Sequence, residues 1–174
     1  MIKKIDSNDI VVSLDSYKEM FSYFDPRSYP QRSMSHDLLA ELKRAAKDKK
    51  LGVIDLKFVI HKSKRTKKKD IMIKKRLKEH FSKHYDILKK ERNNYIKRGI
   101  IYALIGVILM LLATTLLFYT DQKTFFNQFL IVLLEPGGWF LFWEGLYLVI
   151  FDSKYRTLDL EFYKKMQKCR VIFL

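Results

Sequence analysis

Two carboxylates interrupt an otherwise lipid-like stretch. Glu135 and Glu144 lie in LLEPGGWFLFWEG, residues 133–145, together with a Pro136-Gly137-Gly138 break. Counted along a helix from Thr124, Glu135 lies roughly 16 Å into the apolar run. A carboxylate in hydrocarbon costs at least about 2.5 kcal/mol unless it faces protein or water. Neither apolar run of the chain contains a Lys or Arg to pair with it. Self-association would bring equivalent acids together as a ring, the arrangement found in cation-favouring pores. The other readings are a protonated glutamate bonded to backbone freed by Pro136 and, for Glu144, a reach toward the interface. Glu135, Glu144, Pro136, Gly137 and Gly138 are thus the candidate pore or gating residues, with Trp139 and Trp143 read mainly as packing.

A second constellation is cationic. Residues 62–98 hold 16 Lys/Arg against 4 Asp/Glu, a net of +12 in a chain whose total is +15. Lys62, Lys64, Arg65, Lys67, Lys68, Lys69, Lys74, Lys75 and Arg76, with Lys78, exceed what membrane orientation needs. Anionic lipid headgroups, a nucleic acid or nucleotide, and a solvated charged face are the three readings. A straight helix would lift this block roughly 30 Å from the membrane. That is several Debye lengths at physiological salt, which weakens the lipid reading.

Residues 17–32, YKEMFSYFDPRSYPQR, set Tyr23, Phe24 and Tyr29 beside Arg27 and Arg32. Such a set can stack bases and hold phosphate, although the commoner role of such aromatics is packing. His80 and His84 are spaced i, i+4, as metal-binding pairs are, but nothing nearby completes a ligand set. The chain shows no nucleophile–base constellation, no phosphate-binding glycine loop and no dinucleotide turn. No enzyme, cofactor or metal site is expected. The single cysteine, Cys169, excludes an intrachain disulfide framework and suits a reducing compartment.

The elements that must position these residues follow from periodicity. Residues 99–119 carry no charge in 21 positions, enough to span about 30 Å of hydrocarbon. After TDQKT, residues 125–151 form a second apolar run. Lys97 and Arg98 flank the first run and Lys154 and Arg156 the second, while the connection has only Lys123. The positive-inside rule then puts both termini in the cytoplasm. Gly99, Ala103, Gly106 and Ala113 on one run, and Gly138 and Gly145 on the other, form a seam of small residues suited to close helix packing. A kinked second span is favoured over a re-entrant one.

Outside the membrane, a strand is expected over 10–14 and a helix over 35–50, capped by Ser35 and stopped at Gly52. An alternating strand is expected over 53–60, then a basic loop over 62–70. A long helix opening at Asp70, with Ile73, Leu77, Phe81, Tyr85 and Leu88 in register, runs into the first span for roughly 75 Å in all. Tyr155, Leu158, Phe162 and Met166 mark a last helix before a terminal strand, RVIFL, that could pair with 53–60. The expected architecture is an α+β membrane protein. It has a basic cytosolic α+β domain (1–98), a transmembrane hairpin (99–151, spans 99–119 and 125–151) and a returning helix and strand (152–174).

Taken as a whole, with FDPR (24–27), KEHF (78–81), GGWFLFWEG (137–145) and the short terminal strand, the chain resembles a group of small bacterial two-span membrane proteins. The combination also looks like the membrane effector of Hailong-type anti-phage systems. That resemblance implies an oligomeric, channel-like inner-membrane protein held shut by short DNA oligomers from a partner nucleotidyltransferase. On this reading the basic domain binds a short single-stranded DNA or nucleotide. The alternative is a non-conducting scaffold that docks an acidic partner protein or anionic lipid.

Overall fold

The computed structural model describes residues 9–47, 49, 54–119 and 124–174. The expected stop at Gly52 and the connection carrying Lys123 lie outside these residues. The chain divides into two compact units, Met1–Ile87 with Asp159–Leu174, and Leu88–Leu158.

The first unit is built on a three-stranded parallel sheet of β1 (Ile10–Leu14), β2 (Asp55–Ile60) and β3 (Arg170–Phe173), in the order β1-β2-β3. Ile10 stands opposite Leu56 and Leu14 opposite Ile60; on the other side Phe58 stands opposite Phe173. Parallel neighbours need a crossover between them. Helix α1 (His36–Lys47) lies in the first, and the whole of the second unit lies in the other. Alternation along β2 is the physical cause of its placement. Leu56, Phe58 and Ile60 are buried, whereas Asp55 and Lys57 are half-buried and Val59 is exposed. The outward set is tied across the sheet: Arg170 reaches Asp55 at 2.6 and 3.0 Å, and Lys57 pairs with Asp9.

Helix α2 (Lys67–Tyr119) carries residues of both units. It begins at Lys67 rather than at the expected Asp70, so part of the expected basic loop is helical. Asp70 sits within the first turn, buried, accepting from the Tyr17 hydroxyl and from Arg65 at 2.8 Å. The Tyr17 oxygen in turn accepts from the Thr66 amide at 3.3 Å. A carboxylate there also complements the positive end of the helix dipole. Ile73, Leu77 and Phe81, four residues apart, bury one stripe of α2 in the first unit's core with Met20, Phe21, Leu42 and Met166. Each such side chain contributes about 1.5–3 kcal/mol of burial.

The second unit pairs α2 with α3 (Phe125–Tyr147), which passes through Pro136-Gly137-Gly138 as one helix. A five-residue π turn at Leu148–Asp152 leads into α4 (Ser153–Gln167). Two helices are long and apolar enough to cross a membrane, and only 11% of either apolar stretch is buried within the chain. The small-residue seam is their contact. A methyl added at Gly106 would lie 2.6 Å from the Gly138 carbonyl oxygen and the Phe142 amide nitrogen. One at Gly145 would lie 2.5 Å from Ala103 N and Gly99 O. Backbone therefore touches backbone, with no room for a side chain between. Thr114 and Thr115 donate to the carbonyls of Met110 and Leu111, both at 2.8 Å, so their hydroxyls are satisfied within the helix. At the charged end of this unit, the Arg156 guanidinium lies 4.0 Å from the Tyr95 ring centroid and 3.4 Å from Glu91.

Gly137 is the internal control for the seam, because a methyl there meets open space. Gly106→Leu or Gly145→Leu must push the helices apart, at a cost of about 1–3 kcal/mol or more. Gly137→Ala should be neutral or stabilising by up to about 1 kcal/mol, the helix-propensity difference. Thermal unfolding of the detergent-solubilised chain, followed by circular dichroism, measures the contrast.

Candidate functional site

The two glutamates do not share a face. Nine residues along a helix amount to about two and a half turns, so Glu135 and Glu144 point to opposite sides of α3. The seam glycines, Gly138 and Gly145, lie between those directions. Glu135 is exposed and borders a groove of about 220 Å³ with Met110, Thr114, Leu117 and Trp139. Glu144 is half-buried beside a shallow recess of about 310 Å³ walled by Phe140, Trp143 and Tyr147. The surroundings differ in kind: a hydroxyl and a helix–helix crevice for Glu135, aromatic rings for Glu144. Of the break residues, Pro136 is exposed, Gly137 faces open space and Gly138 is consumed by the seam. Trp139 and Trp143 stack on each other at 5.8 Å.

The basic block separates into exposed and committed members. Lys62 and Lys64 lie in a single 3-10 turn, and Lys67, Lys68 and Lys69 in the first turn of α2; Lys74 and Lys75 follow, and all seven are exposed. Cations at a helix N-terminus add to the dipole's own positive potential instead of offsetting it. The local field is thus steeper than the charge count suggests. The ammoniums of Lys69 and Lys74 also lie over the rings of Tyr17 and Phe173, at 6.0 and 5.9 Å. Arg65 is committed to Asp70. Arg76 is half-buried and reaches the Arg32 carbonyl at 3.4 Å, while its Nε is buried without a partner.

The FDPR segment forms a closed local knot. Asp25 accepts two bonds from the Arg27 guanidinium, at 2.7 and 2.9 Å, and one from the Ser33 amide at 2.7 Å. The Arg27 guanidinium and this amide hold the Asp25 carboxyl well below the usual carboxylate range. Tyr29 turns inward against Phe21, with ring centroids 5.3 Å apart. Arg32 reaches the Tyr23 carbonyl at 3.5 Å. Of the expected stacking set, Tyr23 and Phe24 are left exposed, and Arg27 and Tyr29 have structural tasks.

A cavity of about 700 Å³ lies elsewhere in the first unit, between α1, the 76–87 stretch of α2 and Tyr163 of α4. Lys43, Arg76 and Lys83 line it with His36, His80 and His84, and among the described residues the lining includes no carboxylate. The His84 ring stacks on Tyr163 at 5.3 Å and 17°, and His80 lies 4.3 Å from His84. Burial, then the neighbouring His84, Arg76 and Lys83, pushes the His80 imidazole down to about 4. Burial also lowers His84. His80 Nε2 is buried without a hydrogen-bond partner. Among the described residues no group of three or more His, Cys, Asp or Glu could hold a metal, so the His80–His84 pair lacks further ligands. Residues 76, 80, 83, 84 and 87 follow helical spacing, a signal present in the sequence. The opposite wall comes from residues 33–43 and from Tyr163, which no local pattern connects to them.

His80 binds fewer protons when folded than its ordinary value of 6.5 allows, so folding loses stability as pH falls from about 6.5 through about 4. Discounted for the part of the ring that water reaches, the loss is on the order of 1–2 kcal/mol. His80→Gln should flatten the melting temperature against pH across that window, as read by thermal scans in detergent. Comparison with known protein families, with characterised proteins and with solved structures finds no match.

Proposed function

We propose that the chain is an oligomeric, channel-like effector of the bacterial inner membrane, with both termini in the cytoplasm. Its basic α/β unit takes an anionic oligonucleotide or nucleotide that biases the gate. One observation carries the reading: Glu135 is exposed on a helix long and apolar enough to cross a membrane. An acid there is tolerated only against other protein or water. The hairpin's own seam is already filled by backbone, so the shielding must come from further subunits. Self-association around the Glu135 groove would line a polar path with one carboxylate per subunit. Glu144, among aromatic rings, is assigned to the contact between subunits.

Support for the ligand comes from the seven exposed lysines, whose field is reinforced by the start of α2. A ligand moves a gate only if it prefers one of two states. The resemblance described above adds the role in phage defence and a nucleotidyltransferase as partner. The same exposed lysines equally suit an acidic partner protein on a non-conducting scaffold. Oligomer state separates the two, since a monomer or dimer in detergent favours the scaffold.

Chains reconstituted in liposomes should pass cations, and Glu135→Gln should lower the cation-to-anion permeability ratio several-fold. Glu144→Gln should leave that ratio alone and weaken the oligomer seen by light scattering. An unchanged ratio in Glu135→Gln removes the lumen role from that residue.

A further inference from the structure

The 700 Å³ cavity has the size of a small-molecule site, typically about 300–1,000 Å³. Its chemistry is one-sided. Three cationic side chains and three imidazoles converge, with no carboxylate in the lining among the described residues. Lys43 itself is paired with Asp159, at 2.8 Å. Two buried polar atoms, Arg76 Nε and His80 Nε2, have no hydrogen-bond partner among the described residues. Such orphans are destabilising, the more so where the group is charged. Apart from the Ser33 hydroxyl, the rest of the lining is apolar or planar: Met34, Leu39, Ala40 and Ile87, beside the stacked pair of His84 and Tyr163.

We propose that this cavity binds a phosphate ester of nucleotide size carrying a planar ring, with Arg76 as the anion's main partner and His80 taking up a proton as the anion enters. The proposal rests on the functional reading above for the class of ligand, an anion of the nucleotide kind bound by the basic unit. It places the site in the half-open cavity beside α1 instead of on the exposed lysines at the start of α2.

The proton linkage follows from what surrounds His80. On its own helix stand Arg76, Lys83 and His84; α1 contributes Lys43 and His36; α4 contributes Tyr163, with Asp159 engaged by Lys43. Without ligand this field is positive, and together with burial it keeps the imidazole neutral at physiological pH. A phosphate among the same groups reverses the sign of the field and favours the imidazolium. Affinity then rises as pH falls, by up to about tenfold per pH unit while one proton is taken up.

The test is calorimetric titration of the full-length detergent-solubilised chain with adenosine monophosphate, inorganic phosphate and adenosine. Runs at about pH 5.5, 6.5 and 7.5, in buffers of different ionisation enthalpy, count the protons taken up. The expected order is the monophosphate tightest, inorganic phosphate weaker, and adenosine weaker than the monophosphate by about tenfold or more. Arg76→Gln should weaken the monophosphate by about tenfold or more, and Arg76→Lys should recover part of that loss. His80→Gln should keep binding at the highest pH but remove the proton uptake and pH slope that exceed the phosphate's own titration near pH 6. Circular dichroism melts of each variant show that it is folded. Equal binding of monophosphate and adenosine, full affinity in a folded Arg76→Gln, or an unchanged pH slope in His80→Gln would each overturn the assignment. So would binding that is lost in Lys67→Ala/Lys68→Ala/Lys69→Ala and kept in Arg76→Gln, a result that leaves the channel reading standing. The permeability assay on Glu135 reads neither Arg76 nor His80, so the two ideas fail separately.

Discussion

The backbones of α2 and α3 touch at Gly99–Gly145 and Gly106–Gly138, and this contact dictates what every other side chain in their unit can do. In an apolar solvent no hydrophobic force drives two apolar helices together; close packing between small residues does. Once the seam is filled by main chain, larger groups have nowhere to go but outward. That is why Phe140, Trp143, Leu133 and Val132 are exposed, and why Glu135 is too. The acid's exposure follows from the glycines' placement, since a residue on a helix cannot be turned independently of its neighbours.

The first unit obeys a different constraint. A parallel sheet cannot be closed by tight turns. β2 gains its second neighbour only when the end of the chain returns as β3, so residues near both ends of the sequence share one core. Phe58 and Phe173 stack at 5.5 Å, and Tyr17 meets Phe173 edge-on at 5.9 Å. Through its hydroxyl Tyr17 also bonds Asp70, which holds Arg65. A single aromatic thus joins the terminal strand to the start of α2.

Charge in this protein is divided by function rather than by count. Arg27 closes a loop on Asp25, Arg65 satisfies a buried Asp70, and Arg170 bridges two strands at Asp55. These residues contribute to the total of +15 yet are neutralised locally. The lysines from 62 to 75 make one exposed field, and Arg76, Lys83 and Lys43 make a second around a half-open cavity. An exposed field attracts polyanions with strong salt dependence and little selectivity. A recessed one, with partly apolar walls, can discriminate by shape as well as by charge.

The sequence by itself determined the local elements. The charge-free run at 99–119, the alternation over 55–60, the small residues that make the seam and the pairing of the terminal strand with β2 were all legible, because helices and strands impose fixed periods on side chains. Pattern also located the two acids along the helix. Tertiary structure decided which residues oppose one another. It committed Arg27 and Arg65 to structural pairs, turned Tyr29 inward, ran α3 through Pro136, and set the 76–87 stretch against residues 33–43 and Tyr163 to enclose a cavity. Those outcomes depend on contacts between segments up to about 120 residues apart, for which no period exists: periodicity says which face of an element is apolar, and only the packed chain says what meets it.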